Sequence, residues 1–264
     1  MMDVLIFSKD RAPQLDLLLR SMDESFQVRD RKVRVLFRFT SPEMERAYWS
    51  VFKDWEWAEP VKEVRVFQEH VGNIVREFEG SSCLFLCDDN VFIEPVESEE
   101  FERVMGKFRS DARFHSLSLR MSPDTDFCYP AKREMLVPRF ADDPDGDLVW
   151  NWRTVVDQHT CWGYPMAVNT HVYRTSDIVP RILSGKFHSV NSLEAMLNRN
   201  RMFHRDHMLG FRSRKVFDVC NNYVRHDGDG DPELLFRYLR GERIVGIEGF
   251  PSNSAHGVVK FVWE

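Results

Sequence analysis

The sequence predicts an α/β protein with a mostly parallel central sheet flanked by helices, followed by a less regular half. Strand patterns alternate with helix patterns over roughly the first ninety residues, and such alternation joins parallel strands through right-handed crossovers. The fourth of these strands leads directly into acidic residues. Ligand sites in sheets of this kind lie at the carboxyl ends of the strands, so the acidic residues mark the expected site.

The first elements follow from hydrophobic periodicity. Residues 3–7 are typical of a buried strand, and residues 8–13 form a polar turn that contains a proline. Apolar residues at helical spacing across 15–22 predict a helix, and residues 33–39 alternate as a second strand. Ser41 and the proline after it predict the start of a helix, because serine is a favoured cap and proline is favoured in the first turn.

A third strand is predicted at residues 64–67, a short helix at 71–78 and the fourth strand at 82–87. The later part is less regular, and residues 121–149 are predicted to be a solvated loop because they hold four prolines and an acidic run. The remaining predicted elements are strands at 114–119, 166–173 and 215–219 and helices at 97–108, 176–183, 192–199 and 232–239.

No linker is evident, so we expect one domain over residues 1–264. Within it, residues 1–95 are the expected nucleotide-binding half and residues 96–264 the expected irregular half.

Composition limits the function classes. The net charge is −6, which argues against a general nucleic-acid binder because such proteins need a positive surface. The five cysteines form no zinc-site pattern and are expected to be free thiols in a reducing compartment. No apolar run is long enough for a signal peptide or a membrane span, so we expect a cytoplasmic protein and leave open a peripheral membrane contact.

The strongest functional signal is the acidic cluster Asp88, Asp89 and Asn90 at the end of an apolar run. Buried carboxylates need a positive partner, and Mg²⁺ or Mn²⁺ carrying a phosphate would supply one. The alternative is an ordinary polar turn, since Asp and Asn favour turns. Glycine-rich phosphate loops are absent from the sequence, which argues against dinucleotide-binding and P-loop classes.

Further candidates each have a structural alternative. Lys9 and Arg11 are candidates for holding a diphosphate, or they form a solvated helix start. Glu194 is a candidate general base, or an anion favoured by the dipole at the start of a helix. His226 is a candidate metal ligand or phosphate contact, or a loop residue.

These motifs, in this order, resemble those of the GT-A glycosyltransferases, particularly the bacterial family 2-like enzymes. That family has a polar turn with a basic residue after the first strand, here residues 8–11, and an Asp-x-Asp motif after the fourth, here residues 88–90 with Asn90 in place of the final acid. Further short motifs that resemble those of this family occur, in the expected order, at residues 118–121, 162–165, 169–174, 191–194 and 221–224. The resemblance spans nearly the whole chain through short, degenerate motifs.

The resemblance implies transfer of a sugar from a nucleotide-diphosphate donor to a glycan or glycolipid acceptor, assisted by Mn²⁺ or Mg²⁺. The implied metal ligands are Asp88, Asp89, Asn90 and His226. The implied nucleotide-sugar contacts are Ser8, Lys9, Arg11, Arg38, Ser41, Asn73 and Asp88. Glu194 is the implied base with Asp157 in reserve, and the aromatic side chains that could stack on a sugar are Trp150, Trp152, Trp162 and Tyr164.

Two other classes remain open. A non-catalytic nucleotide- or glycan-binding protein of the same fold is favoured slightly by the missing third acid. A nucleotidyltransferase would share the sheet and the metal carboxylates, but residues 8–14 hold none of the glycines expected of its phosphate loop.

Overall fold

A computed structural model describes residues 1–158, 160–221 and 231–264, with residues 157 and 158 described by their backbone alone. The strands are β1 Met2–Lys9, β2 Arg31–Arg38, β3 Ala58–Lys62, β4 Ser82–Cys87, β5 Asn90–Phe92, β6 Phe114–Ser118, β7 Phe127–Cys128, β8 Arg133–Glu134, β9 Leu148–Asn151, β10 His171–Arg174, β11 His207–Gly210, β12 Val216–Val219, β13 Ile244–Glu248, β14 His256–Gly257 and β15 Lys260–Trp263. The helices are α1 Ala12–Ser25, α2 Pro42–Asp54, α3 Phe67–Arg76, α4 Ser98–Ser110, α5 Thr175–Ser184, α6 Val190–Arg199 and α7 Pro232–Leu239, with 3-10 helices at Trp152–Gln158 and Cys161–Gly163.

The central sheet has eight strands in the order β3-β2-β1-β4-β10-β6-β11-β9. The first four are mutually parallel, and β10 runs antiparallel between β4 and β6. This confirms the predicted α/β class. The carboxyl ends of β1, β2 and β4 therefore lie along one edge of the sheet, where the polar turns predicted from the sequence follow them.

Helices cover both faces of the sheet. One apolar cluster joins β1, β2 and β4 to side chains of α1, α2 and α4, and a second joins the opposite face to α3, α5 and α6. β1 and β4 are buried along almost their whole length, which explains why their sequences are continuous apolar runs and not alternating ones.

The predicted third strand is wrong in position. The strand is Ala58–Lys62, and Val64 and Val66 from the predicted segment are exposed. Pro60 obscured the strand in the sequence, but β3 is the outermost strand of the sheet, where a residue without an N–H group is tolerated.

The second half also differs from expectation. Only residues 171–173 of the predicted strand at 166–173 belong to a strand, and β9, β11 and the C-terminal strands were not predicted. The acidic run is not a solvated loop throughout, because Asp147 is buried and its carboxylate lies 2.7 Å from Lys107 Nζ and 2.8 Å from Arg103 Nη2.

A second, smaller sheet starts where β4 ends. It has the order β14-β12-β5, and β5 begins immediately after the two residues that follow β4. Those two residues are Asp88 and Asp89, so the acidic turn connects the two sheets. Backbone bonds fix it on both sides, from Asp88 N to Phe7 O at 3.0 Å and from Val219 N to Asp89 O at 2.7 Å.

Ser41 caps α2 as predicted, and its Oγ accepts a hydrogen bond from Met44 N at 3.1 Å. We expect Ser41→Ala to lower the free energy of unfolding by about 1 kcal/mol, because one N–H group at the start of the helix loses its partner. Urea denaturation measures this effect. Ser81→Ala at an exposed position is the control, and equal midpoints for the two variants would contradict the capping role.

Among the described residues, no helix is both long enough and apolar enough to cross a membrane.

Candidate functional site

The acidic turn is the centre of the site. Asp88 is buried, and its Oδ2 accepts hydrogen bonds from Ser8 Oγ at 2.9 Å and from Lys9 N at 3.0 Å. The ends of β1 and β4 are thus joined through a carboxylate. Three residues that the sequence predicted to act together, from two segments about eighty positions apart, therefore lie in contact.

Arg11 lies between the two acids. Its Nη1 is 3.1 Å from Asp88 Oδ1 and 3.2 Å from Asp89 Oδ2. Burial raises the pKa of Asp89 to about 7, and Arg11 opposes this rise while Asp88 and Asp218 add to it. Burial likewise raises the pKa of Asp88, against the effects of Arg11, Ser8 and Lys9. The arginine is the positive partner that buried carboxylates require.

Tyr48 of α2 contacts the turn that follows β1. Its wholly buried hydroxyl lies 2.7 Å from Ser8 Oγ and accepts a hydrogen bond from Arg11 N at 3.2 Å. Asp10 adopts a φ of +54°, and its Oδ1 accepts bonds from Thr40 N and Thr40 Oγ1 at 2.7 and 3.1 Å. Asp10 therefore ties the end of β1 to the segment after β2 and does not cap α1.

Asn90 points inward. Its side chain is wholly buried, its carbonyl accepts from Cys87 N at 2.8 Å, and its amide donates to Asp218 Oδ1 at 2.7 Å. The ligand role predicted for Asn90 would require the amide to leave both bonds. We assign Asn90 instead to shaping the acidic turn.

Asp218 contacts every other member of a buried polar network that was not predicted from the sequence. Its Oδ2 accepts from Arg120 Nη1 at 2.8 Å and from Asn169 Nδ2 at 2.9 Å, and it lies 2.8 Å from His256 Nε2. Burial alone would raise the pKa of Asp218, but His256 and Arg120 outweigh it and hold the pKa below its usual value. An acid inside the apolar strand β12 was the available signal, since such an acid needs partners.

Glu194 belongs to the same region. α6 begins at Val190 with a Ser189 cap, so Glu194 lies in the second turn and not in the first, where the dipole would explain it. Its Oε2 instead accepts from Val168 N at 2.8 Å. Burial raises the pKa of Glu194, opposed by the Val168 N–H group, Arg120, Tyr164 and His256.

The acids converge around the end of β4. Burial raises the pKa of the Cys87 thiol, and the charges of Asp89, Asp88, Glu194 and Asp218 raise it further. Four carboxylates from three segments therefore act on one side chain. Arg11 and Arg120 are the cations that balance them.

Three predicted nucleotide contacts lie elsewhere or are already engaged. Arg38 is exposed at the end of β2 and lies 3.5 Å from Glu63. Ser41 caps its helix. Asn73 was expected at the end of a strand. It is instead exposed in the middle of α3, where its Oδ1 accepts a hydrogen bond from Arg76 Nη1 at 3.0 Å.

The remaining predicted residues divide into two groups. His226 and the Asp157 side chain lie outside the described residues. Trp150, Trp152 and Trp162 are buried in the protein core with their indole N–H groups bonded to backbone carbonyls, so the sugar-stacking role is wrong for them. Tyr164 is half-buried beside Glu194.

Asp88 and Asp89 fit a hard divalent cation. A single atom, Arg11 Nη1, already lies within 3.2 Å of one oxygen from each. A cation there would take one oxygen from each acid, and a diphosphate and water would complete its coordination. Arg11 would then pair with the diphosphate.

A second acidic group is formed by Asp143, Asp145 and Asp147, whose carboxylate oxygens lie within 4.8 Å of one another. Such a donor set is also compatible with a divalent cation. Here Lys107 Nζ lies 2.6 to 3.2 Å from all three acids, and Arg103 pairs with two of them. Two protein cations, Lys107 and Arg103, therefore already balance these three acids, and the group lies away from the ends of β1 and β4.

No protein-family model matches the sequence, and no curated protein matches it. The fold resembles that of S. aureus TarS at 13% identity and a TM-score of 0.50, covering 81% of this chain and 36% of that one. The structure of S. aureus TarS 1–349 in complex with UDP is 11% identical over 82% of this chain and 59% of that one, with a TM-score of 0.50. The mannosyltransferase PcManGT from Pyrobaculum calidifontis, in complex with GDP-Man and Mn²⁺, is 12% identical over 90% and 68%, with a TM-score of 0.48.

The likeness to the two TarS structures shows that this chain has a fold similar to that of the GT-A glycosyltransferases. This chain spans less than two thirds of the length of either TarS chain.

Proposed function

We propose that this protein is a glycosyltransferase that moves a sugar from a nucleotide-diphosphate donor to a hydroxyl group of a glycan or glycolipid. The observation that carries the proposal is the joint position of Asp88, Asp89 and Arg11. These residues place two carboxylates and one cation at the carboxyl ends of β4 and β1, where α/β sheets bind nucleotides. The UDP in the similar TarS fold agrees with this class of ligand.

Each group has a role in the proposed reaction. Ser8 and Lys9 hold Asp88 in place, and Arg11 pairs with the donor diphosphate. Asp88 and Asp89 would hold Mn²⁺ or Mg²⁺, which supplies positive charge to the leaving diphosphate. The acceptor oxygen attacks the anomeric carbon as the bond to the diphosphate breaks, and Glu194 takes the hydroxyl proton.

Glu194 suits that role through its surroundings. Its raised pKa makes it a stronger base than an ordinary glutamate, and the bond from Val168 N fixes its orientation. The hydroxyl of Tyr164 also hydrogen-bonds this carboxylate, so two groups fix its position next to the acceptor hydroxyl in the proposed reaction.

Calorimetric titration with UDP, GDP and CDP, each with and without Mn²⁺, tests the proposal. Binding that requires Mn²⁺, together with slow release of nucleotide from the matching nucleotide sugar, supports the enzyme. Nucleotide-independent binding of glycans would instead support a non-catalytic binding protein. The inward position of Asn90, which removes a third oxygen ligand, is the observation that favours this second function.

We expect Asp89→Ala to weaken Mn²⁺-dependent nucleotide binding at least tenfold, because one of two carboxylate ligands is lost. Asp89 is half-buried and bonded only to Arg11 among described side chains, so the fold should survive. Calorimetry measures the affinity, and circular dichroism checks the fold.

Asp145→Ala is the matched control, since it removes an acid from the other candidate cation group. It should leave nucleotide affinity unchanged. If Asp145→Ala weakens Mn²⁺ binding and Asp89→Ala does not, the cation site is at the acidic loop and the proposed assignment is wrong.

A further inference from the structure

Two cysteines that are 33 positions apart in the chain lie close to each other. Cys128 at the end of β7 and Cys161 at the start of a 3-10 helix lie with their sulfur atoms 3.7 Å apart, and both residues are buried. A disulfide has an S–S distance of about 2.05 Å, so the atoms need to approach by roughly 1.6 Å. β7 pairs with the exposed strand β8 in a short hairpin that has two residues in each strand.

The two thiols are electrostatically different. The hydrogen bond with Cys161 lowers the pKa of Cys128 below its usual value; burial opposes this, and backbone N–H groups assist it. The pKa of Cys161 is raised well above its usual value by the same contact and by burial. Because either sulfur can donate to the other, one thiol of the pair can stabilise the thiolate of its neighbour, and the thiolate is the form that a peroxide oxidises.

A proton acceptor lies next to the pair. His256 Nδ1 is 4.0 Å from Cys161 Sγ, and its Nε2 lies 2.8 Å from Asp218. A carboxylate that holds the other ring nitrogen orients the imidazole, as in Cys-His pairs generally. The residues on both sides of Cys128, and Gly257 next to His256, line a cavity of about 460 Å³, so a small oxidant can come within one residue of the thiols.

We propose that Cys128 and Cys161 form a reversible disulfide, and that a small peroxide is the oxidant. Cys128 sulfur attacks one peroxide oxygen, the O–O bond breaks, and hydroxide leaves and is protonated to water. Cys161 sulfur then attacks the resulting sulfenic acid, the S–S bond forms, the S–O bond breaks, and the departing oxygen leaves as water with the Cys161 proton, received first by His256. Two thiols lose two electrons in total, and one hydrogen peroxide becomes two waters.

The disulfide would join segments 33 positions apart in the chain. The enclosed segment contains β9 and the Asp143 to Asp147 group. Because His256 also contacts Asp218, the modification lies one side chain from the network that holds the acidic turn. The proposal does not depend on the glycosyltransferase assignment, since its measurement involves no nucleotide.

The test treats the wild-type protein with hydrogen peroxide and then measures free thiols after denaturation, intact mass and the disulfide-linked peptides. The expected result is loss of two of the five thiols, a mass decrease of about 2 Da, and one peptide that joins Cys128 to Cys161, with full reversal by dithiothreitol. Cys128→Ser should abolish the change and Cys220→Ser should not. In Cys161→Ser, a sulfenic acid at Cys128 should be trapped by dimedone.

Three results would overturn the proposal: five thiols that survive saturating peroxide, a disulfide that involves another cysteine, or release of a stoichiometric metal ion from the pair. The peptide map is made on the wild-type protein, so the test stands even if a serine variant fails to fold.

Discussion

Glu194→Gln is expected to reduce sugar transfer by about a hundredfold to ten-thousandfold while donor binding stays within about threefold, because a positioned general base contributes that much. Glutamine keeps the shape of the side chain, and its carbonyl oxygen still accepts the bond from Val168 N. The substitution removes the capacity to take a proton and the negative charge that faces Arg120. The substitution therefore separates the chemical step from binding.

Release of nucleoside diphosphate from the donor that binds best, measured with and without acceptor, gives the rate, and calorimetry gives the affinity. Glu248→Gln, at an exposed position, is the matched control and should transfer at the wild-type rate. Full transfer by Glu194→Gln would eliminate Glu194 as the base. Weak donor binding by that variant would show that Glu194 acts in binding and not in proton transfer.

Asp218→Asn is expected to lower the free energy of unfolding by about 3–5 kcal/mol, the usual result of removing one partner from a buried ion pair. All four of its hydrogen-bonding neighbours approach as donors: Asn90 at one oxygen, and Arg120, Asn169 and His256 at the other. An asparagine must present its own N–H group to one of these sides. It also leaves the buried Arg120 without a countercharge.

Urea denaturation of Asp218→Asn and the wild type measures the difference, and Asp23→Asn at an exposed ion pair should change stability by less than about 0.5 kcal/mol. The pKa of Asp218 is lowered in the folded protein, so its contribution is fully present above the ordinary aspartate pKa of about 3.9 and is lost as the pH falls through the folded value. The difference in the free energy of unfolding between the variant and the wild type should therefore not shrink between pH 8 and pH 5, and it should shrink only in stronger acid. A gap that shrinks near neutral pH would contradict the assignment.

The sequence predicted the parts of the fold that depend on local pattern. β1, β4 and α1 have continuous apolar runs or clear helical spacing, and their burial in the sheet and its cover follows from that. β3 was misplaced because edge strands need few apolar residues, and β9 and β11 were missed because four-residue strands carry little periodicity.

The residues of the candidate site likewise divide into those that a local sequence pattern reveals and those that depend on long-range contacts. Asp88, Asp89 and Arg11 were found because each directly follows a strand with a clear pattern. Asp218 and His256 were missed because their partners come from residues 90, 120 and 169, and such long-range contacts leave no mark in the neighbouring sequence. The inward turn of Asn90 likewise depends on a strand more than a hundred positions later.

The position of β10 has a consequence for the order in which the protein is made. β4 is buried and central, yet its second neighbour consists of residues 171–174. During synthesis, β1 to β4 are complete well before that neighbour leaves the ribosome, and an apolar strand edge stays open in the meantime. The contacts that β12 makes with β5, next to the acidic turn, form later still, because β12 follows β10 in the chain. A ligand of the acidic turn could therefore stabilise the chain only after β12 has paired with β5.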